Sequence, residues 1–296
     1  MLDSPAANQL HITRSYTACG CETLGVIHFL SKRNIMLEIN SKSLRVRFAV
    51  VALVTFLAAD NWRFILKTFM PQFYSEVFRN LSTWSRIELQ AAAWIGVSLL
   101  GIFLVQRKGF KFLLQELGLK ASVVRAVIFT FIATIPMSLG FMVTSRLNPK
   151  LSFASILHLA IISPFAEEVL YRGYLFRQLH RRAELGFVLA VIITAVFFGF
   201  GHYSDAMREG GVWNALGVVA ITGLGGAFFA WLFVRWQDNL WVPFCMHCLM
   251  NLWWELFAVD STALGGWLAN IVRLLTVILA IVLTLYRDRL WKMNAA

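Results

Sequence analysis

The chain has 296 residues, 58% of them hydrophobic and 15% charged, with a mean hydropathy of +0.66 and a formal net charge of +11. Soluble domains carry about a quarter charged residues, so an ordinary water-soluble fold is excluded and lipid becomes the main solvent. The basic residues fall in short clusters beside apolar runs, the pattern of cytoplasmic membrane flanks, and no nucleic-acid partner is expected.

Residues 1–41 are mixed and polar, lack the apolar core of a secretory signal, and are expected to form a flexible tail. Lys42, Arg45 and Arg47 then precede an apolar run from Phe48 to Ala59. That run is too short to cross a hydrocarbon core, so it must borrow length from Trp62 to Phe69 or lie partly in the interface. Leu89 to Val105 reads as a clean second span. Phe110 to Leu119, bracketed by Arg107, Lys108, Lys111, Lys120 and Arg125, reads as an amphipathic surface piece. Val124 to Thr144 is the third span, with a kink expected at Pro136. Spans four to eight follow at Leu151 to Arg177, Leu185 to His202, Val212 to Val234, Leu240 to Val259 and Leu264 to Tyr286. The expected fold is an all-α polytopic membrane protein, about eight transmembrane helices in one bundle over residues 42–292. With both ends cytoplasmic, the flanks on that side hold sixteen basic residues against seven on the other, which favours that orientation.

Polar residues inside such spans are costly and mark function. The densest set is Ser163-Pro-Phe-Ala-Glu167-Glu168-Val-Leu-Tyr-Arg172, where Glu168 and Arg172 lie four apart on one face and can pair bidentately. Glu167 is then free for chemistry. His202 ends Phe198-Gly-Phe-Gly-His202, and His247 lies four before Asn251. Counted from the turn at Arg181 to Gly186 at about 1.5 Å per residue, Glu167 and His202 reach similar depth, roughly 21 and 24 Å, and are expected to meet. His247 and Asn251 come out shallower, at roughly 12 to 18 Å. A carboxyl beside an imidazole in a dry pocket can activate water, and His247 with Asn251 can supply donors to an oxyanion, which suits hydrolysis of an amide within the membrane. Gly199 and Gly201 would allow close approach of another backbone or of substrate. Cys245 and Cys248, although spaced as Cys-x-x-Cys, are expected to be packing residues.

Glu167-Glu168-x-x-x-Arg172, Phe198-x-x-x-His202 and His247-x-x-x-Asn251, in that order and each within a hydrophobic span, resemble the CPBP (also Abi) family of intramembrane glutamic proteases. That family includes the type II CAAX prenyl proteases. The resemblance covers roughly Leu113 to Asn251, within a protease core over about residues 113–259. It implies a helical membrane core opening toward the cytoplasm, Glu167 and His202 activating water, Glu168 and Arg172 in support, and His247 and Asn251 stabilising the oxyanion. It further implies a membrane-anchored protein or peptide as substrate, of CAAX, bacteriocin-related or sorting-tail type, and a place in a bacterial cytoplasmic membrane. No cofactor is favoured; the alternative is zinc on Glu167, His202 and His247. A non-catalytic immunity or scaffold protein of the same fold, and a proton-coupled transporter, are the rival readings.

Overall fold

The computed structural model describes residues 41–287 and 289. The tail expected before Ser41 and the end of the last segment, including Lys292, lie outside the described residues. The chain divides between Leu44 and Arg45, and the helical bundle is the unit from Arg45 onward. Among the described residues the regular structure is entirely helical.

The first run forms helix α1 (Ser41–Asp60), which bends by 70° into α2 (Trp62–Phe69). The borrowed length is therefore not collinear. Ala52, Phe56 and Ala59 turn the inner face of α1 into the bundle, where the Phe56 ring meets Tyr171 edge-on. The short α3 (Pro71–Glu76) and a single turn at Phe78–Asn80 lead to α4 (Thr83–Gln106), capped by the Ser82 hydroxyl accepting from Ser85 N at 3.0 Å.

The expected surface piece is α5 (Phe110–Glu116). It does not lie free on the membrane, because Leu113, Glu116 and Leu117 are buried against the bundle end. Arg182 clamps Glu116 with two bonds of 2.5 and 3.0 Å, and Gln106 adds a third. Burial pushes the Glu116 carboxyl up, but these donors and the charges of Arg182 and Arg177 outweigh it and hold the group below its ordinary value. Gly118 follows with a left-handed φ of 79°, and a Cβ there would strike the carbonyl of Asp238.

The third span breaks where Pro136 predicts, into α6 (Val123–Ala133) and α7 (Ile135–Thr144). The backbone N–H of Met137 donates instead to Thr276 Oγ1 at 3.1 Å. Helix α8 (Phe153–Arg182) is the axis of the bundle. Every residue from Val169 to Phe176 is buried, as befits a helix covered on all sides. Its winding is unusual: an α-helical stretch, Ser163–Glu168, sits between π-helical stretches at Ile156–Ile162 and Val169–Phe176, with a further one at Gln178–Arg182.

Around α8 stand α9 (Phe187–Phe200), α10 (Tyr203–Arg235) and α11 (Trp241–Leu256), while α12 (Trp267–Leu285) packs against α6 and α7. Gly211, at φ 74°, breaks α10, so its long part begins where the sixth span was expected. Helix α9 presents Val188, Leu189, Ile192, Val196 and Phe200 outward and buries Ala190, Thr194 and Phe198. An outer face this apolar is a lipid face. Five helices are long and apolar enough to cross a membrane, six if α1 and α2 count as one bent span. The fifth and seventh expected spans are helices of 14 and 16 residues, so a count of eight full crossings is not established.

At the α9 and α10 crossing, a Cβ on Gly199 would lie 2.5 Å from the carbonyl oxygen of Val219. Gly201 meets only ordinary contacts, so the close approach expected of both glycines belongs to Gly199. Gly199→Ala is expected to destabilise the detergent-solubilised protein by about 1–3 kcal/mol through overpacking. Gly96→Ala, where a Cβ meets open space, should not. Equal melting temperatures for the two variants would remove this crossing as a constraint.

Candidate active site

Glu168 and Arg172 form the buried pair their spacing predicts: Arg172 Nη1 donates to Glu168 Oε1 at 2.9 Å, with side chains 2% and 0% exposed. The pairing is not bidentate, however. Glu168 Oε2 and Arg172 Nη2 have no hydrogen-bond partner among the described residues. What holds the guanidinium is aromatic, with its Cζ 4.3 Å from the Phe198 ring centre and 5.3 Å from that of Phe229. Gly226 makes room for this box, since a Cβ there would lie 3.2 Å from Arg172 Nη2 and 3.1 Å from Phe198.

Glu168 Oε1 also accepts from His247 Nδ1 at 2.9 Å. The other ring nitrogen of His247 faces Glu167, Nε2 to Oε2 at 3.9 Å. Glu167 in turn accepts from the Ser163 hydroxyl at 3.0 Å. Ser163 opens the motif in the sequence and had been given no role; its offset of one helical turn from Glu167 was the available signal. With Nδ1 donating to a carboxylate, His247 can donate from Nε2 only as the imidazolium.

His202 donates from Nδ1 to the carbonyl of Phe198 at 2.9 Å, because a carbonyl can only accept. In a neutral ring Nε2 is then the nitrogen that carries the lone pair. Among the described residues His202 makes no ion pair with Glu167; both line one cavity of about 330 Å³, together with His247, Asn251, Ser163 and Phe229. The expected direct contact is thus replaced by His247. The reason is the winding of α8. Turns closed i to i+5 put more residues into each turn than α-helical ones, so the count from Arg181 overstates the depth of Glu167. Glu167 accordingly meets His247, Nε2 to Oε2 at 3.9 Å, and shares the cavity lining with His202.

Asn251 lines the same cavity and donates one amide hydrogen to the carbonyl of Leu159 at 3.1 Å. Cys248 donates its thiol to the carbonyl of Ala160, and Cys245 is likewise a free thiol. Among the described residues, no three His, Cys, Asp or Glu side chains converge as a metal-holding set.

The family model described as type II CAAX prenyl endopeptidase Rce1-like matches residues 149–253. The matched segment is similar to that family over about a third of the chain. It runs from just before α8 to the second residue after Asn251 and so holds all three motifs; Leu113 to Asn148, part of the expected resemblance, falls outside it. Searches of curated proteins and of solved structures gave no significant match. The matched segment lines the cavity from α8, α9, α10 and α11, and Met137, Trp254, Glu255, Asp260 to Ala263 and Arg273 complete it from outside the match. Asp260 to Ala263 lie past the end of α11, and α9 and α11 both start at the bundle end that carries Arg177, Arg181, Arg182 and Asp238. The cavity therefore reaches the end of the bundle away from that basic cluster.

Arg273, within α12, escaped the sequence reading, though an ionisable residue in an apolar span was signal enough. Arg172, counted there as a basic flank, is in the core.

The aromatic box predicts a graded series at position 172. Arg172→Met strands Glu168 and is expected to cost about 3–5 kcal/mol. Arg172→Lys keeps the charge, loses the planar face between Phe198 and Phe229, and should fall between Met and the native residue. Chemical denaturation in detergent measures both; a Lys variant as stable as the native protein would contradict the box.

Proposed function

We propose that the protein is an intramembrane endopeptidase that hydrolyses a peptide bond of a membrane-anchored protein or peptide, CAAX-type in the first instance. The observation that carries this is the joint lining of one cavity by Glu167, His202, His247 and Asn251, inside a segment that matches a protease family model. Glu167, 14% exposed and held by Ser163, is the general base that takes a proton from water. His202, with its lone pair on Nε2, orients that water across the cavity. As water adds to the carbonyl carbon, charge develops on the carbonyl oxygen, and the free amide hydrogen of Asn251 with Nε2–H of the His247 imidazolium receive it. The proton then passes from Glu167 to the departing amine. Arg172 and Glu168 act one step back, fixing the His247 ring through Nδ1. Unlike a rigid scaffold, this arrangement leaves Glu167 Oε2 without a hydrogen-bond partner among the described residues, on a residue that lines the cavity.

The setting we propose is a bacterial cytoplasmic membrane with both chain ends inside. The cavity end away from the basic cluster then faces the non-cytoplasmic side, against the cytoplasmic opening that the resemblance implies. The charge bias, which survives removal of Arg172 from the count, favours the former.

Glu167→Gln, His202→Ala and His247→Ala are each expected to lower cleavage of a prenylated CAAX-type peptide by roughly a hundredfold or more, with Glu167→Gln keeping the native melting temperature. Unchanged turnover in all three would sink the enzyme reading. Activity is expected to persist in EDTA and phenanthroline; loss restored by zinc would transfer the chemistry to a metal. For orientation, Ser261→Cys should react with a membrane-impermeant maleimide in intact cells, above the background of the native thiols. Labelling only after lysis would reverse the assignment.

A further inference from the structure

Among the groups lining the cavity, Arg273 has no part in the chemistry above. It is seven residues into α12, where a cation is expensive. Its Nη1 donates to Asn270 Oδ1 at 3.1 Å, its Nη2 to the carbonyl of Ala263 at 2.9 Å, and its Cζ lies 4.6 Å from the Trp254 ring centre. All of these partners are uncharged. Three carboxylates share the cavity lining, Glu167, Glu255 and Asp260, but none pairs with it: no carboxylate lies within ion-pair distance of Arg273 among the described residues. Asp260 is turned to Thr262 N at 2.8 Å and Thr262 Oγ1 at 3.2 Å. Arg172, by contrast, has a carboxylate of its own.

We infer that Arg273 is the anion anchor of the cavity and receives a carboxylate of the substrate, a specificity-determining contact that rests on the endopeptidase reading. The physical argument is that a guanidinium has five N–H donors in a planar fork, matched to a carboxylate. Here only two bonds are made, and the plane is already fixed by Trp254, Asn270 and Ala263, so a carboxylate binds without further ordering of the side chain. The lining between the two ends is apolar, with Met137, Leu159, Ile221 and Met250, so the anchored group carries a short apolar stretch toward Glu167. At about 330 Å³ the cavity is at the small end for ligand sites, which suits a few residues. The carboxylate is that of a chain terminus or of an acidic side chain. Where it docks sets how far from it the scissile bond falls.

The test is binding, which needs no turnover. N-acetyl-trileucine as the free acid, the same peptide as its amide, and an amide with glutamate as its last residue are titrated against the full-length protein in detergent, followed by Trp fluorescence and thermal shift. The free acid, or the glutamate amide if the side chain is the source, is expected to bind roughly tenfold or more tightly than the plain amide. Arg273→Gln should abolish that difference while leaving the plain amide's affinity unchanged, and Arg273→Lys should retain part of it. A purely structural strap would weaken all three ligands alike. Equal affinity of acid and amides for the native protein, or no binding of any, overturns the anchor, and this comparison stands even if Arg273→Gln does not fold. An acid preference in a protein that cleaves no peptide would keep the anchor and end the endopeptidase reading. Cleavage indifferent to the carboxylate would do the reverse.

Discussion

The bundle is organised around one charged pair in an apolar interior. Placing Glu168 and Arg172 where water is nearly absent is tolerable only because each neutralises the other at 2.9 Å. The geometry is that of a single hydrogen bond, so aromatic surface completes the stabilisation. Phe198 comes from α9, Phe229 from α10, and Gly226 lets α10 close on the guanidinium. His247 from α11 takes its ring orientation from Glu168 Oε1. Four helices are thus brought to register by one ion pair, and the residues facing the cavity inherit their positions from it.

That dependence separates two kinds of carboxylate at adjacent positions. Glu168 has no exposed surface and two donors; Glu167, one residue earlier, is partly exposed, held by Ser163 and 3.9 Å from His247. A shift of one residue around a helix changes the facing direction by about 100°, enough to turn one acid to the core and the next to the cavity. Adjacent acids in an apolar run are therefore two roles and not a doubled charge.

Much of this was legible in the residues. The spacing of Glu168 and Arg172 gave their pair, Pro136 gave the break between α6 and α7, and the order of the three motifs gave the family later matched over residues 149–253. Depth was not legible, because a residue count assumes α-helical rise and α8 is largely π-wound, a property that its composition does not signal. That assumption paired Glu167 with His202, with which it shares the cavity, whereas the ring within 4 Å of its carboxylate is His247. The bend between α1 and α2 and the burial of α5 also escaped, the first because apolarity carries no direction, the second because Arg182 and Leu240 reach α5 and its following turn from distant positions. Arg273 was missed for a different reason. It stands inside an apolar span, where one basic residue barely changes the hydropathy of the run.

The lengths of α9 and α11 have a consequence for the lipid. At 14 and 16 residues they rise about 21 and 24 Å, against a hydrocarbon core near 30 Å. Both start from the basic end, so the shortfall collects at the other end, beside His202 and the 260–263 segment. Acyl chains next to them must compress or tilt to avoid exposing apolar side chains to headgroups. A leaflet thinned at that end would, on the endopeptidase reading proposed above, lower a tethered peptide toward Glu167 without its having to dissolve in the full thickness of the bilayer.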